Sequence, residues 1–247
     1  PLWPFNGPSS AFWPPLAFAS MAAMLRQHVR DLRVEILDAP ALEMGWRTLE
    51  AEIRSRHPSV VALGEEAVSC AECLRLARLA RAAGAKVIAG GCFFGHVAPQ
   101  ALGTGLVDCV VHGEGENTII ELAEALREGT PDALANVAGI SYLREGEAVR
   151  TRPRPLIENL DTLPLPAWDL LPMHRYGAGS LNHPGLASIE ASRGCSHGCT
   201  FCILWRQMGR FASEQTRPCV RSKSAARLLE EIRIQTRDFG RRHFGWV

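Results

Sequence analysis

Short apolar runs alternate with amphipathic helical stretches through the first half of the chain, and the runs end on a turn residue or a glycine. Val34 to Leu37 reads as a strand ending at Asp38, and Trp46 to Arg56 has helical spacing. Val60 to Leu63 is an apolar run closed by Gly64. Ala71 to Ala83 is an amphipathic helix that stops at Gly84, as a C-terminal glycine should. Lys86 to Ala89 runs into Gly90-Gly91, and Cys109 to Val111 is a further strand before Gly113. Glu116 to Arg127 places Ile119, Ile120, Leu122, Ala123 and Leu126 on one helical side. This alternation predicts an α/β fold, a doubly wound, Rossmann- or flavodoxin-like sheet with helices on both faces. Ligands of such sheets sit at the carboxyl ends of the strands. Asp38, Gly64, Gly90, Gly91 and Gly113 all follow predicted strands and are therefore the candidate cofactor-binding residues.

After this unit, Ile140 to Leu143 and Ala148 to Arg150 flank a turn at Glu145-Gly146, which predicts a terminal hairpin. Pro153, Pro155, Pro164, Pro166 and Pro172 then punctuate a stretch that cannot form a long helix or a central strand. It reads as a linker laid along a domain surface. A new unit begins near Gly185, with a strand at Leu186 to Ala191, a cysteine-rich loop, a helix at Ala225 to Ile234 and a second strand at Phe244 to Val247. The division expected is an α/β domain over 1–152, a linker over 153–183 and the start of a second α/β unit over 184–247.

Composition excludes several classes of function. With 247 residues, a net charge of +1 and 21% charged residues, no strong field points to nucleic acid or anionic lipid. Only Lys86 and Lys223 among the 27 basic residues are lysines, so Schiff-base chemistry has few candidates. The apolar stretch Trp13 to Leu25 is too short to span a bilayer and is broken by Pro14 and Pro15, and it lacks the basic start of a signal peptide. It reads as a buried helix in a cytoplasmic protein. The chain opens at Pro1 and closes within an apolar run at Val247, which reads as a piece of a longer protein, inactive alone and with an aggregation-prone edge strand at its end.

The segment Ile189-Glu190-Ala191-Ser192-Arg193-Gly194-Cys195-Ser196-His197-Gly198-Cys199-Thr200-Phe201-Cys202 carries the chemistry. Its spacing is C-x3-C-x2-C, and three thiolates this close can wrap one metal cluster. The count matters. A structural zinc site normally takes four ligands, whereas a cubane iron–sulfur cluster held by three thiolates keeps one iron open to a small molecule. His197 lies inside the loop, where it would strain a tetrahedral zinc site. Cys219 reads as an ordinary thiol, because a fourth ligand would close the open iron.

This loop resembles the signature of the radical S-adenosylmethionine (SAM) superfamily, C-x3-C-x-aromatic-C, with Phe201 in the aromatic place and Arg193-Gly194 before it. The resemblance implies that Cys195, Cys199 and Cys202 hold a [4Fe–4S] cluster after the first strand of a partial (β/α)6 barrel. It further implies that SAM binds the open iron and is cleaved to a 5′-deoxyadenosyl radical, with a one-electron donor such as flavodoxin or ferredoxin as partner. Phe201 is then a cofactor-side residue, and no catalytic residue beyond the cluster ligands is expected.

The order of parts is similar to the cobalamin-binding radical SAM class. The segments that carry the likeness are Pro14-Pro15-Leu16-Ala17 with Ala22-Ala23-Met24-Leu25-Arg26, the Gly90-Gly91 pair, His112-Gly113-Glu114-Gly115-Glu116, and Leu160 to Pro172. One departure stands out. Domains with a histidine lower ligand carry D-x-H-x-x-G, but here Asp38 is followed by Pro40 in the histidine place and Glu43 in the glycine place. Cobalamin is therefore expected without a protein imidazole, with His96 and His112 in structural or solvated roles, or else the pocket is vestigial. Cys70 and Cys73 form C-x2-C without a second pair and read as structural. The class implies radical methylation of an unactivated carbon or phosphorus of a small-molecule substrate. Its alternatives are oxidative cyclisation or rearrangement within the class and, outside it, a cobalamin sensor with a structural metal loop.

Overall fold

The computed structural model describes residues 13–64, 69–130, 132–177, 185–208, 210–212 and 215–247. Its described residues group into two compact units. One takes in residues 46–157 and 194–219, and the other residues up to 45, 158–193 and 220–247.

The elements follow in chain order. Helices α1 (Leu16–His28) and α2 (Trp46–Arg56) precede strand β1 (Val60–Gly64), helix α3 (Cys70–Ala82) and strand β2 (Lys86–Gly90). Helices α4 (Cys92–His96) and α5 (Ala98–Gly103) lead to strand β3 (Cys109–Val111), helices α6 (Glu116–Glu128) and α7 (Ala133–Asn136) and strands β4 (Ile140–Arg144) and β5 (Glu147–Arg150). Strands β6 (Leu186–Ile189) and β7 (Ser192–Cys195), helix α8 (Leu204–Gln207), strands β8 (Arg210–Ala212), β9 (Gln215–Arg217) and β10 (Cys219–Ser222), helix α9 (Ala225–Phe239) and strand β11 (His243–Trp246) complete the described elements.

In the first unit the sheet order is β1-β2-β3-β4-β5. The first three strands are parallel, with Gly64 opposite Gly90 and Ala89 opposite Val110. The hairpin then adds β4 and β5 antiparallel, turning at Glu145-Gly146, both at positive φ, as a tight hairpin turn requires. Leu63, Val87, Ala89 and Val110 pack with Ala77 and Ala80 of α3 and with Phe94 and Leu102. Full burial of each large aliphatic side chain here contributes about 1.5–3 kcal/mol. Glu114 fastens the chain beyond the hairpin by accepting a hydrogen bond from Ile157 N at 2.7 Å.

The second unit holds the βαβ arrangement β6-α9-β11, its two strands parallel with Leu186 opposite His243 and Ile189 opposite Trp246. Helix α9 starts where Ser224 accepts a hydrogen bond from Arg227 N at 3.1 Å. The architecture is thus α/β with a parallel sheet followed by a βαβ start, as the alternation predicted.

Two local expectations are corrected. Residues 34–37 are extended but join no strand among the described residues. Val34 and Ile36 pack instead against buried residues of α1 and of the 167–176 stretch, and an extended segment satisfies that period of two without a ladder partner. The proline-punctuated stretch is no surface strap either. It forms 3-10 turns at Leu160–Thr162, Trp168–Leu170 and Met173–Arg175. Between the prolines these turns bury Leu160, Trp168, Met173 and Tyr176 as core of the second unit.

Candidate functional site

Parallel pairing of β1, β2 and β3 sends their carboxyl ends to one sheet edge, so Gly64, Gly90, Gly91 and Gly113 lie along it. Gly91 caps the start of α4 at φ 94°, a left-handed conformation that a side chain would strain, so no side chain covers its backbone there.

Asp38 belongs to the other unit. There its Oδ1 accepts from Ala41 N at 3.1 Å and its Oδ2 accepts from Tyr176 OH at 2.7 Å. Burial and the adjacent carboxylate push the Tyr176 phenol well above its usual range, so it stays a neutral donor.

The two loop histidines are engaged within the protein. His112 Nε2 is 2.7 Å from Ser141 Oγ. Burial first, then the charge of Arg150, lowers its pKa to about 4, with a partly offsetting backbone hydrogen bond to Gly95. His96 Nδ1 is 3.1 Å from Cys92 O.

The cysteine loop leaves β7 at Cys195 and returns through β10. Cys195 and Cys202 are half-buried and Cys199 is exposed, none of them in a disulfide. Backbone contacts shape the turn: Cys202 N and Trp205 Nε1 both donate to Cys199 O, at 3.1 and 2.8 Å, and His197 N donates to Cys195 Sγ at 3.4 Å. Phe201 is 90% exposed at the loop tip. Gly194 has φ 96°, and a Cβ there would lie 2.2 Å from Cys219 O, so no larger residue fits the neck of the loop. Among the described residues no three His, Cys, Asp or Glu side chains already converge on a metal position. The donor set itself suits a cubane cluster: three thiols within eight residues, none of them in a disulfide. Cys219 donates its thiol to Met208 O at 3.2 Å, and Cys109 is fully buried with its thiol pushed up to about 12. Both behave as packing residues. Cys70 and Cys73 likewise pack against the apolar core of the sheet.

The cysteine loop and the glycine edge fall in one compact unit, and they meet at a residue that no sequence pattern flagged. Gln207, at the end of α8, donates through Nε2 to Gly91 O at 3.3 Å and Cys92 O at 3.4 Å. Gly95 makes room for it, since a Cβ there would stand 2.9 Å from Gln207 Nε2.

A parallel α/β sheet with a bare glycine edge, joined to a three-cysteine loop and a βαβ start, defines a cofactor-binding protein of two parts. Comparison with known proteins narrows this. Residues 5–123 match the B12 binding domain family. The chain is 30% identical over 230 residues to the uncharacterized methyltransferase PH0819 of Pyrococcus horikoshii, covering 92% of this chain and 47% of that protein. It is 40% identical over 133 residues to the hopanoid C-3 methylase of Methylococcus capsulatus, covering 53% and 22% respectively. Its fold superposes with a TM-score of 0.70, at 20% identity, on the radical SAM methyltransferase TsrM of Kitasatospora setae, solved with cobalamin and a [4Fe–4S] cluster bound, over 97% of this chain and 47% of that one. The first half of the chain thus matches the B12 binding domain, and the chain shares its fold with a cobalamin-bound radical SAM enzyme. It spans about half the length, 47%, of the Pyrococcus horikoshii methyltransferase. No helix among the described residues is long and apolar enough to cross a membrane.

Proposed function

We propose that this chain is the cofactor-holding part of a radical SAM methyltransferase acting on an unactivated carbon or phosphorus of a small molecule. The carrying observation is the C-x3-C-x2-C loop, with three thiols outside disulfides, in a chain whose first half matches a B12 binding domain. When bound, the cluster and SAM supply a 5′-deoxyadenosyl radical and cobalamin supplies the methyl group. In this reading Cys195, Cys199 and Cys202 ligate the cluster and leave one iron open. Phe201, exposed between the last two of them, covers the cluster side of the site. Gly64, Gly90, Gly91 and Gly113 let backbone approach the corrin, and Asp38 braces its own loop against Tyr176. Pro40 offers no side-chain donor and the ring nitrogens of His112 are engaged with Ser141 and Gly95, so neither position supplies an imidazole to cobalt in this reading.

The division into 1–152, 153–183 and 184–247, a cytoplasmic location, an outside one-electron donor and the absence of a nucleic-acid partner complete the proposal. Anaerobic reconstitution tests it. About four irons per chain are expected, falling to near zero in Cys199→Ala. Paramagnetic resonance of the cob(II)alamin-loaded protein should show no nitrogen splitting from a protein imidazole. Undiminished iron in Cys199→Ala, or such a splitting, would sink the corresponding half of the assignment.

A further inference from the structure

The two lysines of the chain have opposite surroundings. Lys86 is a surface residue 3.5 Å from Asp108, whereas Lys223 is buried. Lys223 Nζ donates to Glu231 Oε1 at 2.8 Å and lies 3.9 Å from Glu190 Oε2. Glu190 Oε1 accepts from Arg193 Nε at 3.1 Å. Glu231, itself buried on α9, also accepts from Arg227 Nε at 3.1 Å, and Arg227 Nη2 donates onward to Leu163 O at 2.9 Å. These charges gather where the cysteine loop begins and ends. Glu190 and Arg193 stand just before Cys195, and Lys223 directly follows β10, its backbone N–H donating to Ala191 O at 3.0 Å.

A buried ion pair is a costly way to hold two elements together, since well-packed apolar residues of similar volume serve stability as well or better. What charge adds is a unique alignment. Strand β7 reads Ser-Arg-Gly-Cys and β10 reads Cys-Val-Arg-Ser, with no apolar alternation to set their register. Gly194 opposite Cys219 tolerates only one alignment, because a slip would bring a side chain to the place where a Cβ meets Cys219 O at 2.2 Å.

We propose that Glu190, Lys223 and Glu231 form a charge clamp on the neck of the cysteine loop. They are positioning residues that set β7 against β10, and so set the spacing of Cys195 relative to Cys199 and Cys202. The clamp stands on its own geometry; only its purpose rests on the reading of those cysteines as cluster ligands.

Trypsin reports on the clamp without any metal, because Arg206 and Arg210 lie inside the loop and neither is followed by proline. The metal-free chain is compared with Glu190→Gln, with the paired variant Lys223→Met plus Glu231→Leu, and with Lys223→Arg, each checked by thermal unfolding. Glu190→Gln and the paired variant should be cleaved within the loop about ten-fold faster than the parent while melting close to it, and Lys223→Arg should stay protected. Should the paired variant fail to fold, Glu190→Gln decides alone, because it leaves the Lys223–Glu231 pair in place. Parent-like protection in a folded Glu190→Gln would overturn the clamp. Iron uptake after anaerobic reconstitution should fall in the same variants. Faster cleavage alongside a parent that takes up no iron would leave the clamp standing and remove its assigned purpose.

Discussion

The interior of the five-stranded sheet and the interior of the β6-α9-β11 unit are built on opposite terms. Around β2 and β3 the buried positions are Val87, Ile88, Ala89, Val110 and Leu102, with no ion pair among them. Around α9 the buried positions include Lys223, Glu231, Gln235 and Ser188, and Gln235 Nε2 donates to Ser188 O at 3.2 Å. Apolar packing is tolerant of detail. Buried charge is intolerant, and it specifies how two short strands meet. The sheet region trades on area and the α9 region on pairing, so the same kind of substitution should act differently in each.

Breaking the charged interior should cost the most. Lys223→Met leaves the buried Glu231 carboxylate with Arg227 as its one remaining cation among the described residues and should destabilise the chain by about 3 kcal/mol, whereas adding Glu231→Leu should recover most of that loss. Denaturant midpoints of the single and paired variants check this, and equal losses in both would erase the distinction between the two interiors. In the apolar region Leu122, fully buried on α6, gives the matching probe. Leu122→Ala should cost about 2–4 kcal/mol, with no second change able to restore it short of refilling the cavity.

Gly194 sharpens the comparison at the neck of the loop. Gly194→Ala meets Cys219 O and adopts a strained φ, which should cost about 2–3 kcal/mol and expose the loop to protease before the sheet unfolds. Cleavage confined to the sheet would contradict it.

The smallest effect is titration of His112. Its folded pKa lies near 4, below the ordinary 6.5, so protonation favours the unfolded chain. The stability it lends is whole above about pH 6.5 and drains away as pH falls toward 4. Partial exposure of the ring limits the loss to about 1–2 kcal/mol. The melting midpoint of His112→Asn should lose that slope between pH 6.5 and 4, and an unchanged slope would assign acid sensitivity elsewhere.

Strand and helix identities around the sheet were legible because period and length agree there. The run at Cys109 to Val111 and the helix at Glu116 to Arg127 leave little choice to a local reading, and the observed elements are Cys109–Val111 and Glu116–Glu128. The segment 34–37 misled that reading because alternation records which side is buried, not what a strand pairs with. The prolines after 150 exclude long elements, yet they say nothing of whether the residues between them are buried, and Trp168 and Tyr176 are.

By itself the sequence determined the donor chemistry. Three cysteines at that spacing, a glycine before the first and a missing histidine after Asp38 are covalent facts that no packing can alter. Only the tertiary structure decided the rest. Tyr176 reaches Asp38 across 138 positions of chain, Gln207 reaches Gly91 across 116, and Lys223 finds Glu190 from the far side of the loop. Such pairings leave no local period, because each is selected by the burial of its partners once the chain has closed on itself.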